Sequence, residues 1–175
     1  MSPKMTVLTF AATGHVLGAV TRTGQPETAP QPVDIVGDAL LVRDPETGQL
    51  EIHVAAERLS AVLVDRADHV LLNFRAFTVE GGLVEEQPEL PSGFTLTLNG
   101  VSVGVDLGAG SPVFEDTDVW VQIEGDAILN PIVRTFQIPE NGHQVSEALS
   151  LPVGDYAILV LIPGFRAAIQ ERSIP

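Results

Sequence analysis

FTLTLNGVSVGVDL, residues 94–107, is the stretch on which the reading of the fold turns. Apolar side chains fill every second position around Asn99-Gly100: Phe94, Leu96 and Leu98 before it, Val101, Val103 and Val105 after it. A period of two belongs to a strand with one buried face. Asn-Gly between two such runs predicts a hairpin, because both residues tolerate the positive φ of a type I′ turn. Folding the chain there sets Leu98 against Val101, Leu96 against Val103 and Phe94 against Val105, with Thr97 and Ser102 paired on the other face.

The same residues contain G-x-S-x-G, Gly100 to Gly104, the pattern in which lipases and esterases hold a nucleophilic serine. Such a serine needs a strand before it, a sharp turn at it and a helix behind it. Ser102 instead follows a hairpin turn, lies inside an alternating strand and is succeeded by VDLGAGSP, which opens no helix. The chain order Ser102, then Asp116 or Asp126, then His143 matches that of α/β-hydrolases, but order without geometry defines no triad. No catalytic residue and no enzyme activity is expected.

Outward from this hairpin, the alternation recurs near the start of the chain about Thr13-Gly14, with Leu8, Phe10 and Ala12 before the turn and His15, Leu17 and Ala19 after it. Three further likenesses follow in order. VDIVGDALL (33–41) resembles VQIEGDAIL (121–129), PETGQ (45–49) resembles PENGHQ (139–144), and DHVLLNFRAF (68–77) resembles DYAILVLIPGFRA (155–167). Four ordered matches predict an internal duplication. Between the copies, GGLVEEQPELPSG (81–93) is rich in Gly, Pro and Glu and reads as a linker. The expected fold is all-β, with two tandem antiparallel β-sandwich domains at 5–80 and 94–175. AAERLSAVL (55–63) alone suggests a helical turn or two.

The end of the second copy, LPVGDYAILVLIPGFRAA (151–168), carries Leu151, Pro152, Gly154 and Tyr156, then an alternating strand, then Gly164 and Phe165. It resembles the last hairpin of carboxypeptidase-regulatory-like, or transthyretin-like, β-sandwich modules, which often read L-P-x-G-x-Y, strand, G-F. The preceding PENGHQVSEALSL is similar to the Asn-Gly turn and strand of those modules. The resemblance spans residues 112–168. It implies an immunoglobulin/transthyretin-like sandwich that packs, binds or spaces other domains, and it implies no active site. The first copy has LVDRADHVLLNFRAF at the equivalent position and lacks L-P-x-G.

Composition narrows the chemistry further. Apolar residues make up 45% and charged residues 18% of the 175, a globular balance. Nine basic residues face 23 acidic ones, a net charge of -14, and no Lys/Arg cluster exists to neutralise phosphates. Nucleic acid and anionic membranes are therefore excluded as expected partners. Lys4 stands alone among arginines, as in the products of a GC-rich bacterial genome. The absence of cysteine excludes disulfides, thiol catalysis and Cys-type zinc sites.

No apolar run is long enough to span a membrane. The N-terminal stretch is interrupted by Thr6, Thr9, Thr13 and His15 and lacks an A-x-A site, so no signal peptide is expected. The chain is then expected in the cytoplasm or in a particle assembled there. Glu115, Asp116 and Asp118 in EDTD are candidate calcium ligands. An ordinary acidic loop explains them as well, and no metal or other cofactor is expected. His15, His53, His69 and His143 lie far apart and are expected as partly exposed surface residues.

AILVLI (157–162) does not alternate, so a strand there needs cover on both faces. LSAVLV (59–64) is similar. The cover would be the other domain, a partner subunit or the sheet's own neighbours. Trp120 falls on the face opposite Val119, Val121 and Ile123, and with Ile158, Val160 and Ile162 it forms the interface candidates. The expected function is a non-enzymatic structural or assembly protein. It would be an adaptor or spacer with protein partners, in a homo- or hetero-oligomer within a larger assembly such as a phage-tail-like bacterial particle. The alternative is a small-molecule, glycan or calcium binding module that uses loops at one end of a sandwich.

Overall fold

The computed structural model describes residues 3–21, 28–43 and 50–175. PETGQ (45–49), one member of the matched pairs, lies outside these described residues. Antiparallel strands dominate what is described, as the alternation requires, and the fold is all-β. Among the described residues no helix is long and apolar enough to cross a membrane. The chain forms two compact units that interleave along the sequence. Unit 1 takes Met1–Val42, His53–Pro88 and Gly164–Ala167, and unit 2 takes Arg43–Ile52, Glu89–Pro163 and Ala168–Pro175. The division is thus not the single break at 81–93 that a linker would make.

Unit 1 begins with the hairpin expected about Gly14. Strands β1 (Lys4–Phe10) and β2 (Val16–Val20) pair antiparallel, and Phe10 N donates to His15 O at 2.8 Å to close a four-residue loop. A short helix α1 (Pro32–Val36) leads into the ribbon of β3 (Ala39–Arg43) and β4 (Glu51–Ala55). The expected helical turn near 55–63 is a 3-10 turn at Ala56–Arg58. It runs into β5 (Leu59–Asp65), which pairs with β1 along its whole length. Helix α2 (Asp68–Leu72), a 3-10 turn at Phe74–Ala76 and the hairpin β6 (Phe77–Glu80) with β7 (Leu83–Glu86) complete the run. Met5, Val7, Val16, Val64, Val70, Ala76 and Phe77 form a buried cluster.

Three expectations are corrected here. The stretch 33–41 is a helix followed by a strand, whereas its match at 121–129 is a strand and a turn. Pro32 supplies the reason: its fixed φ and missing N–H suit the first turn of a helix. The stretch 68–77 is helix and 3-10 turn, whereas its match at 155–167 is mainly strand. A run as short as Val70-Leu71-Leu72 serves a helical turn as well as a strand, and α2 buries Val70 alone. The likeness between these stretches therefore does not extend to their secondary structure. Finally, the first part of the expected linker is the β6–β7 turn. Gly81 and Gly82 both hold positive φ, 56° and 83°, which is the requirement of a type I′ turn.

The short segment Gly164–Ala167 closes unit 1. Ala167 N donates to Arg75 O at 3.2 Å, Arg166 N to Pro88 O at 2.9 Å, and Arg166 Nε to Gln87 O at 2.8 Å. His15 Nε2 donates to Phe165 O at 2.9 Å. A carbonyl can only accept, so this nitrogen carries a proton. Nδ1 lies 2.7 Å from the Thr13 hydroxyl. His15 is fully buried, at 0% exposure, against the expectation of a partly exposed surface residue. A buried imidazole needs its polar atoms bonded, and the 164–167 segment supplies a partner from 150 residues away.

Unit 2 holds β8 (Thr95–Leu98), β9 (Ser102–Asp106), β10 (Thr117–Gly125), β11 (Ile132–Ile138), β12 (Gln144–Ala148), β13 (Gly154–Leu161) and β14 (Ala168–Ile174). They form a three-stranded sheet, β12-β9-β8, and a four-stranded sheet, β11-β10-β13-β14. Leu96, Leu98, Val103 and Val105 of the first and Val119, Val121, Ile123, Ile158 and Val160 of the second are buried, as in a β-sandwich.

The β8–β9 hairpin forms, but two residues out of the expected register. Leu98 pairs with Val103 and Leu96 with Val105, so Thr97 faces Gly104 rather than Ser102. Asn99 is responsible. Its carboxamide Oδ1 accepts from Ser102 N at 2.9 Å, Ser102 Oγ at 2.9 Å and Val101 N at 3.3 Å. This Asx turn makes Gly100 and Val101 the central residues, with positive φ at Gly100 alone (77°), the pattern of a type II′ turn. A shift of two preserves which face each side chain takes, so the buried set changes little while Val101 moves to the tip.

The L-P-x-G-x-Y stretch has a physical role. Tyr156 is fully buried and its hydroxyl donates to Pro152 O at 2.7 Å. Its ring lies over Gly125, where a Cβ would sit 2.6 Å from the ring and 2.4 Å from Asp155 O. Gly125→Ala is expected to cost about 1–3 kcal/mol through overpacking. Tyr156→Phe, which removes the bond to Pro152, is expected to cost about 1 kcal/mol. Burial also raises the Tyr156 phenol above its ordinary range. Its contribution is then intact below about pH 10 and lost as pH rises through the raised folded value. Urea melts of both variants, and of the wild type at rising pH, check these outcomes.

Candidate functional site

Ser102 stands in the Asx turn with its hydroxyl committed to Asn99 and no helix behind it. His143 does meet a carboxylate, but it is that of Asp106 rather than Asp116 or Asp126: Nδ1 and Oδ1 are 2.9 Å apart. The pair sits at the far end of β9 and β12 from Ser102. Gln144 pairs with Asp106 there, while Ala148 pairs with Ser102. Strand direction therefore separates the serine from the histidine, and the hydrolase order does not become a triad.

The candidate calcium ligands also go their own ways. Asp116 Oδ1 accepts Glu140 N at 2.9 Å, Asp118 Oδ1 accepts Gln137 Nε2 at 3.3 Å, and the Glu115 carbonyl accepts the Thr117 hydroxyl at 2.9 Å. Among the described residues no three His, Asp or Glu side chains gather as metal ligands. His53 and His69 are exposed, as expected.

The four interface candidates are buried within the chain. Trp120 is 5% exposed, Ile158 0%, Val160 1% and Ile162 1%. Trp120 does lie on the face opposite Val119 and Val121, and Leu161 pairs beside it. Alternation correctly assigned the face; it carried no information on whether that face is wet.

Three of the exposed large apolar side chains stand at one end of unit 2. Leu149 N donates to Val101 O at 2.9 Å and Leu151 N to Gly100 O at 3.0 Å, so the chain after β12 runs beside the β8–β9 turn. Strand β13 starts there. Its Tyr156 pairs with Gly125 at the end of β10, which brings the 126–131 connection to the same end. Each of these three loops offers one large apolar side chain to solvent: Val101 at 70%, Leu129 at 100% and Val153 at 70%. All three lie within turn punctuation, beside Asn99-Gly100, Asn130-Pro131 and Pro152 with Gly154. That signal was available in the sequence, since such residues leave the strand pattern and need not be buried.

No family model matches the chain, and no curated protein matches it either.

The acidity of Asp106 is shaped by its surroundings. The His143 side chain, and then Gly108 N at 2.7 Å, hold its carboxyl below the usual range. A depressed folded value means that the stabilisation is present above the unfolded value, near pH 4, and is lost as pH falls through the folded value. Asp106→Ala is therefore expected to melt earlier than the wild type at neutral pH, with the gap closing on acidification. Thermal melts of both proteins across an acid series check this.

Proposed function

We propose that this protein is a non-enzymatic structural or assembly component, an adaptor or spacer that contacts other proteins in a larger bacterial assembly. The observation that carries this reading is the trio Val101, Leu129 and Val153, three exposed apolar tips at one end of a sandwich-like unit. Apolar side chains grouped on protruding loops are stabilised when a partner removes them from water, by about 25 cal/mol for each Å² covered. We further propose that unit 2 is of the carboxypeptidase-regulatory-like, transthyretin-like kind. The Tyr156 hydroxyl bond to Pro152 within L-P-x-G-x-Y and the four-plus-three sheet arrangement support it. Modules of that kind pack, bind or space rather than catalyse.

A second reading, a small-molecule binding module, is favoured by the open polar face of the β12-β9-β8 sheet. The two readings use different surfaces and can both hold.

Sedimentation of the protein in lysate of its source and after purification, with mass spectrometry of what travels with it, tests the assembly reading. The wild type is expected in a defined complex well above 18.6 kDa. The triple variant Val101→Ser, Leu129→Ser, Val153→Ser is expected to fall toward the monomer while keeping its melting temperature. A wild type that sediments as a lone monomer in both samples would overturn the reading.

A further inference from the structure

The outer face of the three-stranded sheet in unit 2 is a grid fixed by strand register. Its first row is Gln144, Asp106 and Thr95; its second is Ser146, Gly104 and Thr97. Ser102 and Ala148 begin the third. Neighbouring strands lie about 4.8 Å apart and alternate residues about 6.8 Å apart along each strand. The centre of the grid is Gly104, which has no side chain and has no room for one. A Cβ there would lie 2.9 Å from Ser146 Cβ and 3.1 Å from Val145 O. Glycine in a central strand weakens it, and such a residue often marks a close approach to the sheet. The result is a shallow groove of about 470 Å³ with a backbone floor and a polar rim. That volume lies within the roughly 300–1,000 Å³ of small-molecule sites.

The rim has hydrogen-bonding capacity to spare. The side chains of Thr95, Thr97, Gln144 and Ser146 make no hydrogen bond among the described residues, and all four are exposed. Asp106 uses Oδ1 for His143 and Gly108 N, which orients the carboxylate and leaves Oδ2 to accept from a ligand. No Lys or Arg lines the groove, so nothing there neutralises an anion, and the one charge on the rim would repel it. No apolar platform invites an aromatic or aliphatic ligand. Hydroxyls that donate and accept, one oriented carboxylate oxygen and one amide suit a ligand built of hydroxyl groups.

We infer that this face binds a neutral, hydroxyl-rich small molecule of the size of a mono- or disaccharide, held over Gly104 by Asp106, Thr95, Thr97, Gln144 and Ser146. The site is independent of the assembly reading, since it shares no exposed apolar tip with it. Held by a few neutral hydrogen bonds on an open face, the ligand is expected to bind weakly, near a Kd of about 1 mM.

The test is a titration of the full chain, labelled with nitrogen-15, with glucose, galactose and maltose separately, to about 50 mM, well above the expected Kd. Glucuronate serves as the anionic comparator. Saturable shifts of amides in 95–97, 102–106 and 144–146 are expected with at least one neutral sugar, and weaker binding is expected with glucuronate. Thr97→Val with Ser146→Ala, both on the exposed face and close in shape to the originals, is expected to weaken binding about tenfold, the effect of losing two such bonds. The same spectra report that the variant is folded. No saturable shift with any neutral sugar, shifts confined to another surface, glucuronate binding as tightly as the neutral sugars, or a folded double variant with unchanged affinity would each overturn the inference.

Discussion

Six consecutive side chains of β13, Tyr156 to Leu161, are each at most 1% exposed, and the order of unit 2 follows from keeping both faces of this strand dry. A strand without a wet face cannot be an edge. It is paired by β10 on one side and β14 on the other, so its backbone groups are bonded as fully as its side chains are covered. Full burial of each large aliphatic side chain stabilises by about 1.5–3 kcal/mol, which makes this strand a large contributor per residue. Tyr156 is the polar exception, and its hydroxyl finds the Pro152 carbonyl because Gly125 leaves space for the ring.

Unit 1 depends on a different device. Its β2-β1-β5 sheet is small, and the rest of what it holds is short: two helices, two 3-10 turns, the β6–β7 hairpin and part of the β3–β4 ribbon. The segment Gly164–Ala167 adds backbone hydrogen bonds from far along the chain, and His15 receives a ring partner from Phe165. A sequence neighbour would be cheaper in chain entropy; a distant one closes a long loop whose entropic cost grows slowly with its length. The fold therefore commits late residues to an early unit, and neither half of the chain contains all of its own compact unit.

Two of the surfaces of unit 2 have opposite chemistries. The loop end offers Val101, Leu129 and Val153, apolar groups without hydrogen-bonding capacity, suited to being covered. The outer face of the β12-β9-β8 sheet offers hydroxyls, an amide and a carboxylate over a glycine floor, suited to small polar ligands. Neither contains a nucleophile beside a base. Ser102 and His143 occupy opposite ends of antiparallel strands, and the His143–Asp106 pair fixes a carboxylate at the groove rim.

What the sequence determined by itself is parity. Alternation around Asn99-Gly100 specified antiparallel strands, the side chains sharing a face and the absence of a nucleophile elbow, because side-chain direction in a strand is a local property with a period of two. The dry strand at 157–162 was legible for the same reason. About Gly14 alternation specified the strands but not the shared face, since a bulge sets Leu8 against Gly18 and Val7 against Ala19. Register, cover and helix-versus-strand choice in short apolar runs were decided by the tertiary structure. Asn99 shifted the hairpin by two through its side-chain oxygen, which parity cannot detect. Trp120 was placed on the correct strand and His15 beside its turn, yet their burial depends on residues distant in sequence. Val70-Leu71-Leu72 became a helix because three apolar residues suit either period and the surrounding cluster chooses between them. Parity depends on neighbours one and two positions away; cover depends on contacts the chain makes only once it is folded.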